Sequence, residues 1–270
     1  MQYQFFDIHA HVHGVEYSAT RDELIAHCRN VGIGIITVGT NYKESEAAVT
    51  CALKCENVWA TVGMHPVDKI ENFDYDCLKA IAQNKKVVAI GECGLDYYWP
   101  AHDAWKTGEE FEKNRQKELF EKQIKLAVEL NLPLMIHGRP TKKSMDAYED
   151  ILIILKKYQE IHGEKVRGNV HFFAGTLFIA EQFWALGFTT SFTGVITFSH
   201  DYDEVIKAAP LSMLMAETDS PYATPVPYRG TPNTPLFVPL IYQKIAELKN
   251  ITIQEVQSQF EENRRQVFGI

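Results

Sequence analysis

The stretch Asp7-Ile8-His9-Ala10-His11 follows a short apolar run at the start of the chain. Side chains alternate faces along an extended strand, so His9 and His11 point the same way, and Asp7 with them. Two imidazoles two residues apart at the end of a buried strand form a pincer suited to a metal ion. Five further polar residues stand at the ends of later apolar runs: His65, Glu92, His137, His171 and Asp219. Any one of them alone is commonly hydrogen-bonded structure. Gathered at one place, desolvated imidazoles and crowded charges are costly without a cation between them.

Four imidazoles (His9, His11, His137 and His171) with Glu92 and Asp219 exceed what one ion needs. The set predicts two divalent ions with Glu92 as the shared ligand. Such a pair activates a water and polarises a phosphoryl or carbonyl oxygen. Asp219 is then both a ligand and the acceptor of the water's proton. Mixed imidazole and carboxylate donors suit Zn, Mn, Co or Ni. His65 is surplus as a ligand and is expected to donate to a substrate phosphate, which makes it the third catalytic residue beside Glu92 and Asp219. The planar guanidinium groups of Arg139 and Arg229 are expected to meet phosphate oxygens as well. Asp96 either orients a ligand histidine or caps a turn. Asp7 is expected behind the ligands rather than among them. Tyr97, Tyr98, Trp99, Trp105 and Tyr222 would either stack on unpaired bases or pack beneath a long loop.

These residues are positioned by an alternating pattern. Apolar runs at 3–8, 33–38, 58–62, 87–90, 134–136, 166–172, 188–192 and 211–216 read as strands. They are near-continuous rather than alternating, which suits a parallel sheet covered by helices. Helical segments at 43–55, 75–84, 109–130, 143–161, 177–186, 202–208, 235–249 and 252–268 separate and follow them. Thr20 with Glu23, and Thr252 with Glu255, read as capping boxes at the start of the first and last helices. The pattern predicts one domain over residues 1–270 folded as an α/β, (β/α)₈ TIM-type barrel, with a doubly wound open sheet as the alternative. In such a barrel, catalytic groups come from the C-terminal ends of several strands, which is where all seven polar residues fall.

The net charge of −8 argues against a protein that coats nucleic acid through its overall field. It leaves room for an enzyme with a local basic site. Five cysteines, an odd number, and no secretory signal point to a reducing cytoplasm. No apolar run is long enough to span a bilayer, and no obligatory protein partner is expected.

Six ordered motifs carry a family resemblance: Asp7-Ile8-His9-Ala10-His11, Gly63-Met64-His65-Pro66, Gly91-Glu92-Cys93-Gly94-Leu95-Asp96-Tyr97-Tyr98, His137-Gly138-Arg139, His171-Phe172-Phe173-Ala174-Gly175 and Glu217-Thr218-Asp219-Ser220-Pro221-Tyr222. In this order the chain resembles the TatD family of amidohydrolase-like metal-dependent hydrolases, from residue 7 to about residue 240. The resemblance implies a distorted (β/α)₈ barrel and a deoxyribonuclease, read as an exonuclease, whose partner is DNA, single-stranded or at ends. It implies that His9 and His11 bind one ion with Glu92 and Asp219, that Glu92, His137 and His171 bind the other, and that Mg joins the list of metals. Ala174 stands where the family carries Ser, and Thr231-Pro232 where a basic residue is common. The segment 99–108 is longer than is usual. These departures spare the ligands and bear on substrate preference. The rival readings are an enzyme that cuts an amide or ester of a small molecule, and a non-catalytic binding protein on the same fold.

Overall fold

The computed structural model describes residues 3–68, 73–98 and 108–270. Apolar runs rich in Ile, Val and Ala form eight parallel strands among the described residues: β1 (Phe5–Ala10), β2 (Ile33–Val38), β3 (Val58–Val62), β4 (Val87–Asp96), β5 (Leu134–Arg139), β6 (Gly168–Val170), β7 (Thr189–Phe192) and β8 (Leu214–Ala216). They are hydrogen-bonded in sequence order from β1 to β8. The helices that cover them are α1 (Arg21–Asn30), α2 (Tyr42–Lys54), α3 (Tyr75–Ala82), α4 (Glu109–Leu130), α5 (Asp146–His162), α6 (Leu177–Ala185), α7 (Asp203–Ala208), α8 (Val238–Lys249) and α9 (Ile253–Phe268). The fold is the expected (β/α)₈ barrel. Among the described residues no helix is long and apolar enough to cross a membrane, and all five cysteines are free.

The strands differ from expectation where the site begins. β4 and β5 do not stop at their apolar runs but continue through Asp96 and Arg139. Glu92 and His137 therefore sit on strands held by neighbours, not on loops. β6 and β8 are shorter than their apolar runs, and in β8 the 3₁₀ turn Leu211–Met213 takes up the first half of the run. Thr252 and Glu255 form their capping box, whereas Thr20 starts α1 without a side-chain cap bond.

The barrel is closed at one end only. β1 and β8 share a single bridge, Ala10 with Ser220, flanked by bonds from Asp219 N to His9 O (2.9 Å) and from His11 N to Ser220 O (2.8 Å). Asp7 reinforces this seam from behind. Its carboxylate accepts from Thr218 N at 2.8 Å, from Thr218 Oγ1, and from His9 N at 3.3 Å. Burial pushes the Asp7 carboxyl up to about 8 against the Thr218 hydrogen bonds that lower it. At the other end, Phe268 of α9 enters an apolar cluster with Phe6, Ile8, Ile36, Val38, Met135 and Met215. Residues from strands on opposite sides of the barrel can meet only in its interior, so α9 fills the floor of the lumen.

Asp7 does not share the face of His9 and His11, contrary to strict alternation. Asp7 pairs with Ile35 and Ala10 with Thr37, so three steps of β1 span two of β2. This bulge puts Ile8 and His9 both on the inner side and leaves Asp7 toward the helices. The same device recurs in β4, where Ile90 pairs with Leu134 and Cys93 with Ile136. The extra residue in each case lies beside a polar side chain of the rim, where bulges commonly re-aim a group.

Glycines and glutamines set the close approaches. A Cβ on Gly63 would lie 2.5 Å from the Gly91 carbonyl carbon, and one on Gly94 would lie 2.1 Å from His137 O. The motifs around His65 and Glu92 thus need glycine so that β3, β4 and β5 can close on one another. On α4, Gln116 and Gln123 are seven residues apart and share a buried face. Gln123 brackets the Met64 backbone with two bonds of 2.8 and 2.9 Å, and Gln116 does the same for Asp96 at 2.8 and 3.0 Å.

Asp7→Ala should cost about 1–3 kcal/mol, because it strands a buried N–H, and Asp7→Asn should cost less, since an amide keeps an acceptor for Thr218 N. The raised folded pKa, against an ordinary 3.8, means that wild-type Asp7 loses stability as pH rises toward 8. The penalty of Asp7→Asn should therefore shrink between pH 5 and pH 8 in urea unfolding. A penalty that grows with pH would contradict this account.

Candidate metal centre

Glu92 is the hub of the rim. Its Oε1 lies 2.8 Å from His171 Nε2, 2.9 Å from His137 Nδ1 and 3.4 Å from His65 Nε2. Its Oε2 lies 3.5 Å from His9 Nε2. One carboxylate oxygen thus faces the residues of β5 and β6, and the other faces β1. Asp219 Oδ1 closes the opposite side, 3.4 Å from His11 Nε2 and 3.7 Å from His9 Nε2. Asp219 has φ +52° and Phe172, next to His171, has φ +44°. Such left-handed backbone at non-glycine residues is uncommon and gathers at functional sites.

The second nitrogen of each imidazole explains which atom is aimed inward. His11 Nδ1 meets Val38 O at 3.0 Å, so it carries the proton and Nε2 is left with a lone pair. His137 is reversed: Nε2 meets Asp96 Oδ2 at 3.1 Å, and Nδ1 faces Glu92. Asp96 therefore orients the His137 ring and also accepts from Tyr98 N at 3.0 Å. His9 and His171 stack, with ring centres 3.8 Å apart. Glu217 lies beneath both, 4.0 Å from His9 Nδ1 and 3.6 Å from His171 Nδ1. Such carboxylate or carbonyl partners on the outer nitrogen are the usual companions of metal-ligating histidines.

His65 differs from these four. Its Nδ1 accepts from Val67 N at 3.3 Å, so the neutral ring carries its proton on Nε2, the atom turned toward Glu92. It is nonetheless within ligand distance of Glu92 and His137.

The electrostatics fit a cation. Burial alone would raise the Glu92 carboxyl, but the charges of His171 and His65 and the bonds from His137 and His171 hold it well below the usual carboxylate range. Burial would lower His171 and His137, yet Glu92, with Glu217 or Asp96, holds both up. Burial and His171 push His9 down. His9 is completely buried, and neither of its ring nitrogens has a hydrogen-bond partner. A buried polar atom without a partner is costly, and a divalent ion among His9, His11, Asp219 and Glu92 would satisfy Nε2, the nitrogen that faces both carboxylates. Among the described residues, three groups bring donor atoms within 4.8 Å of one another: His9, His11 and Asp219; His9, His171 and Glu217; and His65, Glu92 and His137.

The centre opens into a cavity of about 800 Å³. Arg139 lines it, its guanidinium 4.0 Å above the Tyr98 ring. Arg229 is not among the residues that line it; its guanidinium lies 3.9 Å over the Phe198 ring. Tyr222 lines the cavity and is 59% exposed. Tyr97 is buried in packing, with its hydroxyl on Asp150 at 3.0 Å. Trp99 and Trp105 lie outside the described residues. Sequence reasoning missed Glu217 and His13. Glu217 is two residues before Asp219, a spacing that signals it; His13 continues the series His9, His11.

The family described as TatD related DNase matches residues 6–269 of the chain. The metal-dependent hydrolase YabD of Bacillus subtilis is 37% identical over 270 residues, covering 98% of this chain and 99% of that protein. The 3'-5' ssDNA/RNA exonuclease TatD of Klebsiella pneumoniae is 31% identical over 276 residues, covering 98% of each. The crystal structure of YJJV, a TatD homologue from Escherichia coli K12, superposes with a TM-score of 0.87 at 26% identity, with all of both chains covered. The chain therefore belongs to the TatD related DNase family of metal-dependent hydrolases.

Proposed function

We propose that this protein is a divalent-cation-dependent nuclease that removes nucleotides from the 3′ end of single-stranded DNA. The observation that carries the reading is His9, buried between Glu92 and Asp219 with both nitrogens unpartnered. The name of the Klebsiella pneumoniae relative supports the choice of substrate. His9, His11, Glu92 and Asp219 would hold one cation, and Glu92, His137 and His171 the other. Mg, Mn, Zn, Co and Ni are the candidates. When bound, the cations supply Lewis acidity and make water a nucleophile near neutral pH.

The chain's own residues do the rest. Asp219, which burial would raise but the neighbouring imidazoles hold below its usual range and so keep ionised, accepts the proton of the attacking water. His65 presents an Nε2–H to a non-bridging phosphate oxygen, since Val67 N occupies its other nitrogen. Arg139 meets the next phosphate from its seat on Tyr98. Free thiols suit work in a reducing cytoplasm.

Purified protein given Mg or Mn should shorten end-labelled single-stranded DNA from its 3′ end, and Glu92→Ala should abolish this. Hydrolysis of a panel of amides with no cleavage of DNA would instead favour the small-molecule rival. His65→Ala should lower kcat by about 10²–10⁴ while metal content, read by elemental analysis, stays near that of wild type; an emptied site would make His65 a ligand. Because the His137 and His171 pKa values are raised, protons compete with cations for these nitrogens. Metal affinity should fall as pH is lowered, with proton release on binding visible by calorimetry in buffers of different ionisation enthalpy. A pH-independent affinity would contradict this.

A further inference from the structure

His13 continues the series of His9 and His11 but does not join the centre. Its Nδ1 lies 2.7 Å from Thr37 Oγ1 and its Nε2 lies 3.2 Å from Glu44 Oε2. Its side chain is 2% exposed, against 35% for Glu44. Both residues line the cavity. The backbone that carries each of them is fixed. Arg21 bonds the carbonyls of Val12, His13 and Gly14 at 2.9, 2.6 and 2.9 Å, which pins the segment that carries His13. Glu44 lies in the first turn of α2, with its N–H bonded to the Asn41 side chain at 3.0 Å. With Thr37 and Glu44 as neighbours, the buried ring turns its Nε2 proton toward Glu44 and leaves the other carboxylate oxygen for a ligand.

The cavity around this pair is electrically lopsided. The loops after β1, β2 and β3 place Glu16, Glu44 and Asp68 on its wall. Among the described lining residues Arg139, at the end of β5, is the sole Arg or Lys. A polyanion can enter with its phosphates on the Arg139 side, which leaves its terminal sugar for the β1–β3 side. A carboxylate there accepts a hydrogen bond from a hydroxyl. It repels a terminal phosphate, and strongly so where water is largely excluded.

We propose that Glu44, positioned by His13, is a specificity residue that admits a chain ending in a hydroxyl and rejects one ending in a phosphate. This rests on the nuclease reading above. The test uses full-length protein with Mg or Mn and two single-stranded oligonucleotides of one sequence, ending in a 3′-hydroxyl or a 3′-phosphate. Wild-type kcat/KM should favour the hydroxyl end by about tenfold or more, as expected for a charge-assisted hydrogen bond. Glu44→Gln should remove most of that preference, chiefly by lowering KM for the phosphate end. His13→Leu should shift the ratio in the same direction, whereas a purely structural loss would lower both substrates alike. Equal cleavage of both ends by wild type, a preference for phosphate, or an unchanged ratio in Glu44→Gln would overturn the proposal and leave the nuclease reading standing. Failure to cleave either oligonucleotide would overturn both.

Discussion

The barrel closes through one short seam, and the centre exists because of where that seam lies. β1 and β8 meet only at their C-terminal ends, through the bonds of Asp219 N to His9 O and His11 N to Ser220 O. The bonds that complete the sheet are therefore the ones that set two imidazoles against Asp219. Asp7, out of reach of any ligand, holds the Thr218 backbone behind them. Closure of the fold and assembly of the site are one event here, so a loosened seam loses both.

Across the rim, Glu92 faces imidazoles from β1, β5 and β6 and the His65 ring beyond β3. Such a group is stable only if its charges balance. The outer partners do more than add charge: Asp96 settles which nitrogen of His137 faces inward, and the Val38 carbonyl does so for His11. The two glutamines of α4 hold Met64 and Asp96 by their backbones. A helix outside the barrel thereby fixes two points of the rim, one just beyond β3 and one at the end of β4.

Much of this was legible in the sequence. The order of apolar runs and helices leads to the barrel, and the strand ends identify His9, His11, His65, Glu92, His137, His171 and Asp219 as neighbours. The alternation that linked His9 to His11 failed for Asp7, because a bulge is a property of register between strands and leaves no mark on one strand read alone. Glu217 was visible as part of a motif but its role was not, since it acts on rings that come from β1 and β6. Arg229 carries a contact that its loop position does not announce: its guanidinium stacks on Phe198, thirty-one residues earlier in the chain.

The apolar cluster that Phe268 completes has a kinetic consequence. With the lumen packed by Phe6, Ile8, Met135 and Met215, nothing passes through the barrel. Nothing that enters the cavity can leave through that floor. A product formed at the rim has to depart on the side from which its substrate came. Arrival and departure therefore share the rim face of the barrel, where the exposed Tyr222 lines the cavity.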